Sequence, residues 1–334
     1  MARTTVARMT ARDSGALKEA PQAQILTSRS PRDLAWRKFK KNKVGMASLG
    51  TSLFFVSAAV FAPLISWAIN IDPNERDSSA ITARGETIGN FGGISWNHPL
   101  GVEPGIGYDI LARLIYGARI SFLVAAIATL TTVFIGLMAG VVAGYFRGRT
   151  DSVLGRLTDF LLAFPSFFMI IALSAPMIAR IEKSGLAHDN SARVIYLILI
   201  LALFGWPYFS RIMRSQALSL RERDFILASR ALGASHTRII FKELLPNLWT
   251  PVIVYLSLAL PGYLAAEAIY SYLGIGVQPP AATWGLLISD SIKYVMSEPT
   301  YFLIPSVSLI LVVLSFNLLG DAVRDALDPK SELT

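Results

Sequence analysis

The chain has 334 residues, of which 53% are hydrophobic and only 16% are charged, whereas soluble proteins are about 25% charged. This composition indicates an integral membrane protein. The absence of cysteine excludes disulfides and thiolate chemistry. We interpret the isolated histidines His98, His188 and His236 as ordinary loop residues, because a metal site needs converging ligands.

The net charge of +8 is concentrated in an N-terminal segment. Residues 1–43 carry 11 Lys and Arg against three acidic residues. We interpret this segment as a cytoplasmic tail held against anionic membrane lipid. A nucleic-acid-binding tail is the alternative, but the segment has few aromatic residues and directly precedes a long apolar run.

Six apolar stretches are long enough to cross a membrane, or nearly so, since a spanning helix needs about 20 residues. Residues 72–119, which are rich in Asp, Asn, Gly and Pro at their start, are predicted to form an extracytoplasmic loop closed by a short amphipathic helix. Residues 268–289 are uncharged but broken by Gly and Pro, which favours an outer or re-entrant segment over a seventh helix. The predicted spans are residues 44–71, 120–146, 160–179, 194–210, 244–266 and 299–320.

Two patterns within the spans carry further expectations. Gly136, Gly140 and Gly144 recur every four residues, which predicts a face that packs closely against another helix; simple tolerance of glycine in lipid is the alternative. Pro165 and Pro176 predict a kinked third span, as expected of a helix that lines a pathway, although proline also occurs in ordinary spans.

Charge placement predicts the orientation. With six spans, 23 Lys and Arg lie in segments assigned to the cytoplasm and eight lie outside it. This bias predicts cytoplasmic N- and C-termini. The chain then divides into a tail, a first helix, an outer loop, a five-helix core at residues 120–320 and a C-terminal tail at residues 321–334.

The longest charged interruption of the core is residues 219–247, which this orientation places in the cytoplasm. Leu220–Leu232 is predicted to be helical and Gly233 to end that helix in a left-handed conformation. Ser235 is predicted to cap a second short helix that Pro246 ends. The resulting helix-turn-helix is too short and too tethered to read DNA, but an amphipathic connector lying on the membrane stays possible.

This stretch resembles the EAA signature of importer-type ABC transporter permeases. Four positions of the signature are in register, namely Ala228, Gly233, Leu245 and Pro246. Three positions depart from it: Leu227 replaces an acid, Ser229 an alanine and Glu243 an isoleucine. Further segments between Ser30 and Pro329, among them HPLGVEPGIGYDILARLIYGARISF and EAIYSYLGIGVQPPAATWG, are similar to peptide permeases of the dipeptide/oligopeptide C type.

The resemblance implies an all-α membrane protein with the six-helix type I importer permease fold and cytoplasmic coupling helices. It implies two cytoplasmic ATPase subunits, a second homologous permease subunit and an extracytoplasmic substrate-binding protein as partners, besides membrane lipid and without nucleic acid. ATP and Mg²⁺ are expected on the ATPase partners, because the chain has no phosphate-binding GxxxxGK[ST] motif. No cofactor, metal or catalytic residue is expected on this chain. The expected coupling residues are Ala228, Ser229, Arg230, Ala231, Gly233, Ala234, Leu245 and Pro246.

Three residues are candidates for the translocation path, namely Asp159, Pro165 and Glu267, because ionisable groups and helix breaks inside spans are often functional. Asp159 is alternatively expected to pair with Arg156. Glu267 is expected either to meet the binding protein or a peptide's amino terminus, or to serve packing.

The sequence therefore predicts a non-enzymatic permease subunit of an ATP-driven importer of di- and oligopeptides, in the cytoplasmic membrane of a prokaryote. Import of nickel or another small solute by the same machine is the alternative. A stand-alone secondary transporter or channel is disfavoured, because the spans carry almost no charge and show no inverted duplication.

Overall fold

The computed structural model describes residues 31–327, which are almost entirely helical and contain only isolated β-bridges. The predicted all-α architecture is confirmed for this part of the chain. The helices are α1 (Pro31–Lys41), α2 (Lys43–Val60), α3 (Ala62–Ile69), α4 (Ile110–Phe146), α5 (Gly148–Ala163), α6 (Ser166–Lys183), α7 (Asp189–Arg221), α8 (Asp224–Ala231), α9 (His236–Arg238), α10 (Leu245–Asn247), α11 (Trp249–Tyr272), α12 (Trp284–Ser291) and α13 (Pro299–Leu327).

The described part of the N-terminal region begins with helix α1. α1 lies within the predicted 1–43 segment and packs on the last helix, where Phe39 is buried against Ala322 and Ala326. These two alanines belong to α13, so residues 321–327 continue the helix instead of starting the predicted C-terminal tail. Residues 1–30 and 328–334 of the two predicted tails lie outside the described residues.

The first predicted span is a helix with a bend. α2 ends at Val60, and α3 continues from Ala62 to Ile69 with proline in its first turn. Proline fits that position because its missing N–H would have no helical partner there. Asn70 takes a left-handed conformation and ends α3.

The centre of the molecule is the pair formed by α4 and α7. Gly136, Gly140 and Gly144 of α4 face α7 so closely that an added Cβ would lie 2.9, 2.5 and 2.7 Å from the carbonyl oxygens of Trp206, Ser210 and Arg214. The predicted glycine packing face is therefore confirmed, since any side chain on it would separate the two helices.

The third predicted span, residues 160–179, is bent at Pro165, so the predicted kink is confirmed there, and it is sharp enough to divide the span into two helices. α5 and α6 meet at an angle of 86°. Pro165 has no N–H to donate, and Phe164 before it is extended (φ −86°, ψ 136°), as steric clash with a following proline favours. Pro176, in contrast, lies inside α6 without ending it.

Several predicted boundaries also differ. The short helix expected to close the outer loop is the start of α4, because no helix breaker separates residue 110 from residue 146. α7 extends to Arg221, so the helix predicted to begin at Leu220 begins at Asp224. Pro246 does not end a helix but lies at the start of α10, after a π-helical turn over Ile239–Leu244.

Within residues 31–327, five helices are long and apolar enough to span a membrane, and the bent α5–α6 pair adds a sixth span when its two helices are counted as one. The five single helices are α2, α4, α7, α11 and α13. The predicted outer segment at residues 268–289 comprises the end of α11, an irregular stretch and the start of the eight-residue α12, which is too short to span.

Candidate functional site

The turn around α8, residues 224–235, is held from one side and exposed on the other. Ile226 is fully buried in an apolar cluster with Val141 and Tyr145 of α4 and Leu244. Gly233 follows the helix with φ +79°, a conformation that glycine takes at little cost. Ser235 then caps α9 by accepting from the N–H of Arg238 (3.3 Å). The predicted glycine stop and serine cap are confirmed.

The exposed side of this turn is apolar. Leu232 is 89% exposed, and Phe225, Leu227, Ala228, Ala231 and Gly233 are exposed beside it. Large apolar side chains left exposed on one short helix are typical of surfaces that contact another protein or a membrane. Ser229, Ala234 and Leu245 are half-buried, and Pro246 is exposed.

Arg230 points back towards its own chain. Its guanidinium lies 5.0 Å from the ring centre of Tyr145. The same tyrosine accepts from Arg221 through its carbonyl oxygen (2.8 Å) and shares a hydrogen bond with Nδ1 of His236 (2.8 Å). Tyr145, near the end of α4, thus connects both sides of the turn to the central helix. The sequence analysis did not identify it, because nothing in its local pattern distinguishes it from other apolar residues of the span.

The three path candidates lie in different places. The carboxylate of Asp159 pairs with Arg211 of α7 and not with Arg156, because the bend at Pro165 lays α5 against α7. Asp151 and Arg214 form a second α5–α7 pair nearby, with Nη2 donating to Oδ2 at 2.7 Å.

Glu267 is completely buried, with Oε1 accepting from the hydroxyl of Ser271 at 2.6 Å. Its neighbour Ala268 contacts Gly285 of α12. This carboxyl group therefore lies in the packing between α11 and α12 and presents no surface to an external partner in this conformation.

Pro165 itself does not line a cavity, but the residue after it borders one of about 340 Å³ between α6, α7 and α11. Ser166, the residue after the helix break, lines it together with three tyrosines of α11. We call this space the membrane cavity. Its lining residues are Ser166, Ile170, Leu201, Phe204, Gly205, Tyr255, Ala259, Gly262, Tyr263, Ala266 and Tyr270.

At the opposite end from α8, the 70–109 loop is tied together by a histidine. His98 contacts Asp109 through Nδ1 (2.9 Å) and Asp77 through Nε2 (3.0 Å). Burial opposes protonation of His98, but the two carboxylates outweigh it and raise its pKa above 6.5. Hydrogen bonds from Ser79 and His98 lower the pKa of Asp77 to about 2. His98 lies in a loop, as expected, but its two carboxylate partners were not predictable, because they are distant in sequence.

The same loop contains a buried ion pair that the sequence analysis also missed. Nε of Arg113 lies 3.3 Å from Oε2 of Glu103, and both side chains are nearly inaccessible. Burial raises the pKa of Glu103, against the opposing charge of Arg113. Arg113 also donates to the carbonyl oxygen of Pro280 (3.2 Å) and lies over the ring of Tyr108. It thereby joins the loop to the stretch before α12.

For cofactors, the described part of the chain offers no group of three or more His, Asp or Glu side chains arranged to hold a metal ion. The described residues provide an exposed apolar turn, a cavity between the helices and a 70–109 loop held by ion pairs.

Two family models match the chain. Residues 133–332 match the family described as "Binding-protein-dependent transport system inner membrane component". Residues 30–83 match the "N-terminal TM domain of oligopeptide transport permease C".

Relatives of known name cover almost the whole chain. A dipeptide transport system permease protein of Alkalihalophilus pseudofirmus is 34% identical over 93% of this chain and 93% of its own length. An oligopeptide transport system permease protein of Mycobacterium tuberculosis is 35% identical over 90% of this chain and 96% of its own length.

A solved structure of the MetNI methionine ABC transporter in inward-facing conformations has a similar fold. Its TM-score is 0.51 at 18% identity, over 65% of this chain and 96% of that one. At this identity the likeness concerns the fold alone.

Proposed function

The chain belongs to the binding-protein-dependent transport system inner membrane components, a family of ABC transporter permeases, and from this premise we propose that it is a permease subunit of an ATP-driven importer of di- and oligopeptides. The cargo is supported by the relatives named for dipeptide and oligopeptide transport, which align over nearly their full lengths. Import of nickel or another small solute is the second candidate for the cargo.

In this proposal the α8 turn docks on a cytoplasmic ATPase subunit. The observation that carries it is the exposed apolar surface around Leu232, held from behind by the buried Ile226. ATP-driven closure of two ATPase subunits is a rigid-body movement. A short helix packed on Tyr145 and Val141 of α4 would transmit that movement to the central pair of spans.

Membership of the family supports a proposal for the remaining assembly. A second homologous permease completes the path, two ATPase subunits hold ATP and Mg²⁺, and a substrate-binding protein delivers cargo on the side of the 70–109 loop. The α8 turn and both termini then face the cytoplasm, in agreement with the excess of Lys and Arg on that side.

Docking is tested by Leu232→Asp in the complete transporter, assembled with its partner permease, ATPase subunits and binding protein. Leu186→Asp is the matched control, because Leu186 is an exposed leucine (68%) outside the α8 turn. We expect Leu232→Asp to abolish co-purification of the ATPase and uptake of tritiated tri-alanine, and Leu186→Asp to retain both. Normal ATPase binding and uptake by Leu232→Asp would contradict the docking role.

Gly233→Trp tests the transmission step. The variant is expected to insert in the membrane and bind the ATPase but to uncouple ATP hydrolysis from uptake; unchanged uptake would argue against coupling. Uptake by the purified chain alone, driven by a proton or sodium gradient in vesicles, would overturn the importer assignment.

A further inference from the structure

The membrane cavity combines open volume, unused hydroxyl groups and a broken helix. We propose that it is a peptide-binding subsite inside the membrane, which holds a short extended segment of the cargo by its main chain during translocation. This inference rests on the proposed function, since it names the chemistry by which that function's path receives a peptide. At about 340 Å³ the cavity lies within the range of about 300–1,000 Å³ found for ligand pockets.

Three tyrosines supply polar groups on one side of α11. Tyr255, Tyr263 and Tyr270 are separated by eight and seven residues, spacings that bring side chains to the same side of a helix. Tyr263 is already bonded, with its hydroxyl 2.8 Å from that of Thr132. Tyr270 is only 6% exposed and lines the cavity, yet its hydroxyl has no hydrogen-bond partner among the described residues. The hydroxyl itself is not enclosed by protein, so it is free to donate to a ligand in the cavity.

The break between α5 and α6 lies at the same place. Irregular backbone at membrane depth is tolerated where it is buried in protein or borders a cavity. Ser166 is both the first residue of α6 and a lining residue. No side chain caps this 18-residue helix, and the first N–H groups of a helix lack helical partners. The first residue of α6 and the side chain of Tyr270 therefore border the same space.

The chemistry of the lining favours a peptide main chain. None of the eleven lining residues is charged, so the cavity does not select for the charge of a cargo side chain. Hydroxyl and N–H donors match the carbonyl oxygens of an extended peptide, and aromatic rings accommodate varied side chains. The lining has no carboxylate or imidazole, which are the ligands a nickel ion would need. A lipid chain is the competing occupant, but it would leave the hydroxyl of Tyr270 without a partner.

Filling the cavity is the first test. A Cβ added at Gly262 meets no atom within 4 Å, so Gly262→Leu places its side chain in open space beside the tyrosines. Gly50→Leu is the matched control, because Gly50 also has no neighbour within 4 Å but lies in α2, away from the cavity. In proteoliposomes containing the complete transporter, we expect Gly262→Leu to lower uptake of tritiated tri-phenylalanine about tenfold and that of tri-glycine less. Gly50→Leu is expected to stay within twofold of the wild type for both peptides.

A direct probe separates occupancy from an effect on folding. p-Benzoylphenylalanine in place of Tyr270 is expected to cross-link tritiated tri-alanine when ATP and binding protein are present, whereas the same probe in place of the exposed Leu130 of α4 is expected to cross-link only phospholipid. If the wild-type transporter takes up peptide, two results would overturn the subsite and leave the importer assignment intact. One is full activity of Gly262→Leu, and the other is phospholipid as the only adduct at position 270. Failure of the wild-type transporter to take up any peptide would instead overturn the proposed function.

Discussion

Nδ1 of His98 lies 2.9 Å from Oδ2 of Asp109, while Oδ1 of the same carboxylate accepts from the N–H of Ala112 (2.7 Å) at the start of α4. A single aspartate therefore caps the central helix and connects it to the 70–109 loop. His98 extends this connection to Asp77, so the charge of one imidazole bears on how the loop is held to the helices.

The first prediction concerns pH. The pKa of folded His98 is raised above 6.5, so its contribution to stability is complete below pH 6.5 and is lost as the pH rises through the folded value. The pKa of Asp77 is lowered to about 2, so its contribution is complete above pH 3.8 and is lost as the pH falls towards 2. We expect hydrogen-exchange protection of the 70–109 loop, corrected for intrinsic rates, to be greatest between these limits and to fall at alkaline pH.

The alkaline loss of protection should depend on His98 alone. His98→Gln is expected to remove it, whereas His188→Gln should keep it, because His188 is an exposed histidine without a carboxylate partner among the described residues. Equal pH dependence in both variants would show that another group is responsible.

The second prediction concerns the buried pair of Glu103 and Arg113. Glu103→Leu leaves a guanidinium buried without its anion, which should cost about 3–5 kcal/mol of stability. The double variant Glu103→Leu/Arg113→Met should recover most of this loss. Glu222→Gln, which breaks the exposed pair with Arg147, should cost less than about 1 kcal/mol. Chemical and thermal unfolding of the purified transporter measure these differences; equal losses in all three variants would contradict the role of burial.

The third prediction concerns the α4–α7 contact. Alanine at position 140 would place Cβ 2.5 Å from the carbonyl oxygen of Ser210, an overpacking that typically costs about 1–3 kcal/mol. Gly50→Ala meets no neighbour and should be neutral or stabilising by up to about 1 kcal/mol, because alanine favours a helix more than glycine. The free energy of unfolding should therefore fall in Gly140→Ala and stay unchanged or rise in Gly50→Ala. Stabilisation by Gly140→Ala would refute the close contact.

The fourth prediction separates packing from transport at Glu267. Glu267→Gln keeps an oxygen that accepts from Ser271 and should leave stability within about 1 kcal/mol of the wild type, since a neutral amide is easier to bury than a charge. Glu267→Ala removes the acceptor and leaves a void, which should cost about 2 kcal/mol or more. Both are measured as thermal unfolding of the complex. Normal stability but lost tri-alanine uptake in Glu267→Gln would assign the carboxyl group a part in transport.

Local features of the molecule were accessible from the sequence because they depend on neighbouring residues. The stop at Gly233 requires only a left-handed conformation, and the cap at Ser235 requires only a side-chain oxygen next to free N–H groups. The glycines of α4 follow the helical repeat, so their common face was predictable. The helix against which they pack was not predictable, because the repeat shows which face of α4 is small but not which helix contacts that face.

Burial and pairing depended on contacts between distant residues. Asp159 lies within one helical turn of Arg156, but the bend at Pro165 brings α5 against α7, and its carboxylate pairs with Arg211. His98 and Glu103 looked unremarkable in sequence because their partners lie on other segments.

The sequence by itself determined that this chain crosses a membrane in about six segments and carries a structured charged turn, because the length of apolar runs and the conformational preferences of Gly, Ser and Pro act over a few residues. Only the tertiary structure decided which side of that turn is exposed, that Glu267 is enclosed, and that residues of α6, α7 and α11 surround one cavity. These properties depend on the angles at which helices meet, and those angles result from the packing of side chains far apart in the chain.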